Sequence, residues 1–363
     1  MWKRKGTSCQ NQPEVHWILR ALRSCARVAA PAVIFKAEAI VAPDDLAPYL
    51  GVAAPGVPAG RECDLAYHNS LMVQYWSSLA ARDTRLMTHV LGAFPHKPAS
   101  AAWGTYIRCH DDIGWAITEA DAATVGWDGF AHRRFLSDFY AGGFPGSFAR
   151  GVVFQHNPAT GDSRTSGSFA SLAGLERALE LRDPVATDLA IARILAGYAL
   201  ILGWDGIPLL YMGDELGLRN DWTFTDEPAH AADNRWVHRP HMDWAAAERR
   251  HDPASVEGRI FAGVRRLIAI RAEHPALHVA APLAVGDAGD PTLFLYRRGG
   301  EGERLVAVHS FADRATVAWG ATLLAGSGIA AGRDLLTGEP VEAGGHVAFA
   351  PYQVRWIVAA DRS

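Results

Sequence analysis

Cysteine is scarce in this sequence: four in 363 residues, Cys9, Cys25, Cys63 and Cys109, without CxxC spacing or a paired pattern. That argues against a disulfide framework and a thiolate zinc site, and reads as free thiols in a reducing cytoplasm. An excess of one charge is also missing. Lys and Arg total 35 against 39 Asp and Glu, a formal net charge of −4, and no basic block occurs. Neither nucleic acid nor an anionic membrane is therefore expected as the main partner. The basic start "MWKRKGTSCQ" leads into polar residues, not into the apolar segment of a signal peptide. The most apolar window, "LAIARILAGYALILGW" (189–204), contains Arg193 and follows Asp188. It reads as a buried helix and not as a membrane span. No internal repeat or low-complexity segment is evident.

What is present suits a soluble globular chain. Apolar residues make up 49% and charged residues 20%, and there are 12 Trp. The length exceeds what one compact core normally holds, which predicts a large domain plus a smaller one. Residues 13–30 carry apolar residues at helical spacing behind Pro13, a favoured first-turn residue, and Pro31 ends the helix. "AVIFKAEAI" (32–40) is a continuous apolar run, as expected of a strand buried on both faces of a parallel sheet. "CDLAYHNS" (63–70) is a second strand candidate, followed by one helical pattern from Leu71 to Leu91. "TYIRC" (105–109) and "GIPLLYMGDE" (206–215) are the third and fourth strands, the latter preceded by a buried helix over 185–202. Asp252-Pro253 is an N-cap and N1 proline for a long helix that stops at Pro275. Strand and helix thus alternate through residue 275, the pattern of an α/β domain with parallel strands.

The texture then changes. "TLFLYRR", "RLVAVHSF" and "HVAFAPYQVRWIVA" are short runs between Gly-rich turns with no evident helix, which predicts a small antiparallel β domain. Its Trp and Tyr residues read as β core. Between the third strand and the buried helix lie some 70 residues that fit no simple crossover. An insertion at the carboxyl end of a strand is usually functional. The expected segments are 1–112 and 183–278 for the α/β part, 113–182 for the insertion and 279–363 for the β domain.

Each strand candidate ends in polar groups: Lys36 and Glu38, His68 and Asn69, His110 with Asp111 and Asp112, then Asp214 and Glu215. A barrel builds its active site from the carboxyl ends of its strands, and this is the pattern such a site leaves. Glu38 lies in an apolar run, where partial desolvation would suit a general acid. Blander readings stand beside these. Asp214-Glu215 can simply cap the next helix, and His68-Asn69 can be a structural turn. Cys109 beside His110 lacks further ligands at metal-binding spacing, so no metal is expected.

At these residues the chain resembles a known family. "FKAEAI", "IRCHDDIGW", "FARGVVFQHNPATGDSRTSG", "LLYMGDELG", "DNRWVHRP" and "PYQVRWIV" are similar, in order, to the amylosucrases. These belong to the α-amylase superfamily, glycoside hydrolase family thirteen. The resemblance implies strands five to eight of a TIM (β/α)8 barrel, an inserted subdomain and a C-terminal antiparallel β domain. It implies glucosyl transfer from sucrose to an α-1,4-glucan, without a cofactor. Glu38 matches the general acid/base, and Asp111 the carboxylate that binds the reacting glucose and stabilises positive charge. His110 matches its sugar-binding neighbour. Ile40, Asp112 and Arg164 match positions touching the sugar on the leaving-group side. Arg235 matches an Arg that closes the glucose pocket against an Asp from an early barrel loop.

A retaining mechanism also needs a nucleophilic carboxylate about 5 Å from the acid/base. In the family that Asp stands a few residues before a "WK…GTSC" segment, and here "WKRKGTSC" begins at Trp2. The chain therefore reads as the C-terminal part of such an enzyme, with Arg235 short of its acidic partner. Half a barrel exposes two sheet edges, so it should aggregate or need its N-terminal half as a separate chain. Two alternatives stay open: a sucrose hydrolase, and a non-catalytic carbohydrate-binding remnant.

Overall fold

The computed structural model describes residues 3–54, 56, 59–299 and 302–360. Trp2, where the "WKRKGTSC" segment begins, lies outside them. Helix α1 (Pro13–Ala29) opens on its proline and closes before Pro31, as expected. Its inward side sets Val15 beside polar side chains. His16 bonds Glu62 at 2.6 Å, Arg20 reaches the same carboxylate, and Arg23 and Arg27 pair with Asp64 at 2.5 and 3.1 Å. Its outward side carries Trp17, Ile18, Leu22 and Val28, all exposed.

Strand β1 (Lys36–Ala37) departs from the expected two-sided burial. Only Ala37 is buried, while Val33, Ile34 and Ile40 are exposed. The cause is its position: β1 is an edge strand, with β2 on one side and no strand on the other among the described residues. Strand β2 (Leu65–Tyr67) leads into α2 (Asn69–Ala81), capped by His68, whose Nδ1 accepts from the Leu71 amide at 3.2 Å. The single helix expected over 71–91 is two, because Arg82 turns left-handed (φ 54°) before α3 (Arg85–Gly92).

Strand β3 (Ala102–Thr105) ends at the first residue of the expected 105–109. Side chains take the backbone acceptors there: Trp76 Nε1 donates to Ile107 O, and Arg239 to His110 O. In the insertion, α4 (Gly129–Tyr140) precedes an antiparallel pair, β4 (Val152–Phe154) and β5 (Arg164–Ser166). Helix α5 (Pro184–Gly203) is the apolar window. Its length and composition would suffice to cross a membrane, yet Leu200, Ile201 and Leu202 are packed into the protein core. Strand β6 (Ile207–Pro208) is only two residues of the expected 206–215. Helix α6 (Val256–Glu273) is capped by Ser255, not Asp252, since the Ser255 hydroxyl accepts from the Gly258 amide at 2.9 Å.

The four strands β1-β2-β3-β6 form one parallel sheet in that order. After α6 come β7 (Leu283–Gly286), β8 (Leu293–Gly299), β9 (Arg304–Ser310), β10 (Thr316–Trp319), β11 (Ala331–Asp334), β12 (Pro340–Glu342), β13 (His346–Phe349) and β14 (Val354–Ala359). They make a six-stranded antiparallel sheet, ordered β12-β11-β14-β9-β8-β7, and a separate β10-β13 pair. A short helix, Gly320–Leu324, interrupts the expected all-strand texture and buries Leu323 and Leu324 against Val306 and Phe349. Tyr296, Tyr352 and Trp356 are core, whereas Trp319 is exposed.

One large apolar cluster joins Trp76, Ile107, Ile113, Tyr140, Phe169, Leu200, Tyr296 and Trp356, running from the α/β part through the insertion into the β domain. A smaller, separate cluster holds Val15, Ala37, Tyr49, Leu50, Ala66 and Trp103, with Ala39 packed against it.

Candidate active site

Two strand ends converge. β1 delivers Glu38, and the turn after β3 delivers His110, Asp111 and Asp112. His110 Nε2 lies 3.3 Å from the Glu38 carboxylate and 3.6 Å from that of Asp111. The ligand atoms of all three lie within 4.8 Å of one another, so a single small polar group can lie against all of them. The side chains of Glu38 and His110 are 51% and 47% exposed. The desolvation expected for Glu38 is thus absent, because nothing covers the outer edge of β1 among the described residues.

The neighbouring acids part ways. Asp111 takes Arg235 at 3.0 Å and Arg239 at 3.7 Å. Asp112 is nearly buried and takes Arg164, the first residue of β5, at 3.1 Å. A separate arginine for each offsets the repulsion between adjacent carboxylates. Arg235, for which the resemblance implies an Asp from an early barrel loop, is held here by Asp111. It also pairs with Asp233 at 2.7 Å, two residues earlier, and its hydrogen bond pulls the Asp233 carboxyl down to about 2. Ile40 sits exposed two residues beyond Glu38.

Behind the cluster the turn is held by its backbone. The His110 carbonyl accepts from Arg239 Nε at 2.8 Å, from Arg239 Nη2 at 2.5 Å and from His238 Nε2 at 3.1 Å. Burial pushes the His238 imidazole down to about 3, so it is neutral at pH 7. Asp214 is no cap. Its buried carboxylate binds Arg108 through three N–H···O contacts of 2.7 to 3.0 Å. Glu215 lies inside the short helix Asp214–Leu216, whose N-cap is Gly213, and accepts from the Gly213 amide at 2.8 Å. His68 and Asn69 are structural, Asn69 accepting from the Tyr106 hydroxyl at 3.1 Å. Sequence reasoning passed over Arg108, Asp233, His238 and Arg239. The Asp-x-Arg spacing of "DNRW" and the second basic pair in "VHRP" were the available signals.

No family model matches the chain. The trehalose synthase/amylase TreS of Mycobacterium tuberculosis is 23% identical over 333 residues, covering 85% of this chain and 48% of that protein. The glucosylglycerate phosphorylase of Escherichia coli is 22% identical over 358 residues, covering 98% of this chain and 58% of that one. Among solved structures, the sucrose 6F-phosphate phosphorylase of Thermoanaerobacter thermosaccharolyticum superposes with a TM-score of 0.58 at 16% identity. That match covers 96% of this chain and 58% of that chain. The fold is α-amylase-like, an α/β part followed by a β domain. The chain is related to the α-amylase superfamily, glycoside hydrolase family thirteen. It spans about half the length of the curated relatives it matches.

Proposed function

We propose that this chain supplies the acid/base half of an amylosucrase-type site, which moves glucose from sucrose to an α-1,4-glucan. The convergence of Glu38, His110 and Asp111 within 4.8 Å at the ends of parallel strands carries this reading. Glu38 protonates the glycosidic oxygen while the bond from the glucosyl C1 to that oxygen breaks and fructose leaves. A carboxylate nucleophile bonds to C1, and an acceptor hydroxyl then displaces it as Glu38 takes the hydroxyl proton. Asp111 and His110 bind hydroxyls of the reacting ring, Asp111 stabilising its developing positive charge. Arg235 borders the glucose pocket. Asp112, Arg164 and Ile40 contact the next sugar, and the Arg164–Asp112 pair favours a sugar acceptor over water.

By the resemblance, the nucleophile is an Asp that ends an earlier barrel strand, and this chain spans about half the length of its curated relatives. The activity is therefore that of a cytoplasmic barrel completed by an N-terminal half, on the same polypeptide or a separate one. In that assembly residues 1–112 and 183–278 are the second half of the barrel, 113–182 shape the acceptor path and 279–363 form the flanking β domain. The exposed apolar stripe of α1 and the open edge of β1 support such a partner. The test supplies that half and incubates the assembly with sucrose. Fructose with glucan supports the proposal, fructose with free glucose points to a hydrolase, and no fructose release refutes both.

A further inference from the structure

We propose that the buried Arg108–Asp214 ion pair positions His110 and Asp111 and is not a general stabiliser of the fold. The inference rests on reading those two residues as sugar contacts. Both side chains are about half exposed, and among the described residues the Asp111 amide bonds only Cys109 Sγ, at 3.4 Å. The geometry behind them is strict. Arg108 and Asp214 side chains are 2% and 4% exposed. Arg108 Nε donates to both carboxylate oxygens, at 2.7 and 3.0 Å, and Nη2 adds a third contact at 2.8 Å. The third nitrogen, Nη1, reaches the His238 carbonyl at 2.8 Å, and the guanidinium stacks over Tyr211 at 3.9 Å.

These contacts tie together three segments distant in sequence. Arg108 stands two residues before His110, Asp214 follows β6, and His238 belongs to the turn Asn234–His238. That turn carries Arg235, which pairs with Asp111, while His238 and Arg239 both donate to the His110 carbonyl. A closed circuit results: Asp214 fixes Arg108, Arg108 fixes His238, and His238 fixes His110. A buried ion pair is weak evidence for stability, since desolvation cancels much of its attraction. A planar guanidinium forked onto a carboxylate does fix direction, which a lysine cannot reproduce. Sites of this kind need placement within about 0.5 Å.

The test uses the chain as it is and needs no turnover. The R108M/D214L double variant replaces the pair by apolar groups, and R108K keeps the charge without the fork. The readouts are thermal unfolding and the ring 1H–13C resonances of His110, assigned with H110Q, with His274 as a distant control. Expected are folded variants of near-native Tm in which the His110 signal shifts or splits while His274 stays. A folded double variant or R108K with an unmoved His110 signal overturns the proposal. So does a double variant that fails to fold, which would make the pair a stabiliser. Failure of sucrose turnover bears on the proposed function alone, because neither readout involves sucrose.

Discussion

His16 and Trp17 are adjacent in sequence and opposite in setting. His16 is buried at 1% exposure against Glu62, whereas Trp17 is 63% exposed. One residue of helix rotates by about 100°, so the two mark the two faces of α1. The inner face carries ion pairs beside the buried Val15, while the outer one exposes an apolar stripe that an ordinary surface helix turns inward.

Replacing Trp17 and Leu22 by Ser should therefore improve behaviour in solution at little cost to the fold. Neither side chain has a covered site to vacate, so the stability change should stay within about 0.5 kcal/mol. Light scattering should show less self-association, and urea unfolding should show an unchanged midpoint.

Glu38→Gln keeps shape and removes the titrating proton. In the completed barrel it should lower fructose release by about 10²–10⁴-fold. Circular dichroism and Tm should not change, since the side chain is half exposed.

Arg164→Ala should alter the partition between acceptors. It leaves the nearly buried Asp112 without its 3.1 Å partner and removes a cation from the acceptor side. The ratio of glucan to free glucose should fall in product analysis, with total fructose less affected.

Acid should destabilise the protein through buried imidazoles. Burial holds His68, His238 and His309 down at about 3 and His132 at about 4. Unfolded histidine titrates near 6.5, so between there and the folded values the unfolded chain binds more protons. Stability then rises with pH, and it is lost as pH falls below about 6.5, by up to ~1.4 kcal/mol per unit for each group. His68 must keep Nδ1 unprotonated to accept from Leu71, so α2 should lose its cap as His68 protonates. Denaturant midpoints from pH 7.5 to 4.5 should fall steadily; a flat profile would contradict the burial of these rings.

The sequence showed more of the fold than of the support behind the site. Parallel strands, α5 and the β domain follow from local periodicity, which packing here reinforces. The meeting of Glu38 with His110 and Asp111 was expected because strand ends share one rim. The run 32–40 misled, because its apolarity records what should cover it, and in this chain nothing described does. Asp214 was ambiguous because its partner lies 106 residues away, beyond any local pattern. Arg235 takes Asp233 two residues away and Asp111 124 residues away, and the resemblance names neither as its partner.

The separation of the two apolar clusters has a dynamic consequence. Glu38 hangs between Ala37 and Ala39, both in the small cluster with Val15, Tyr49 and Trp103, while His110 follows Ile107 in the large one. Cooperative units of this kind open with their own free energies. Breathing of the small unit would part the acid from its histidine while the rest stayed native. Amides around residues 36–38 should thus exchange with deuterium well before those of α5.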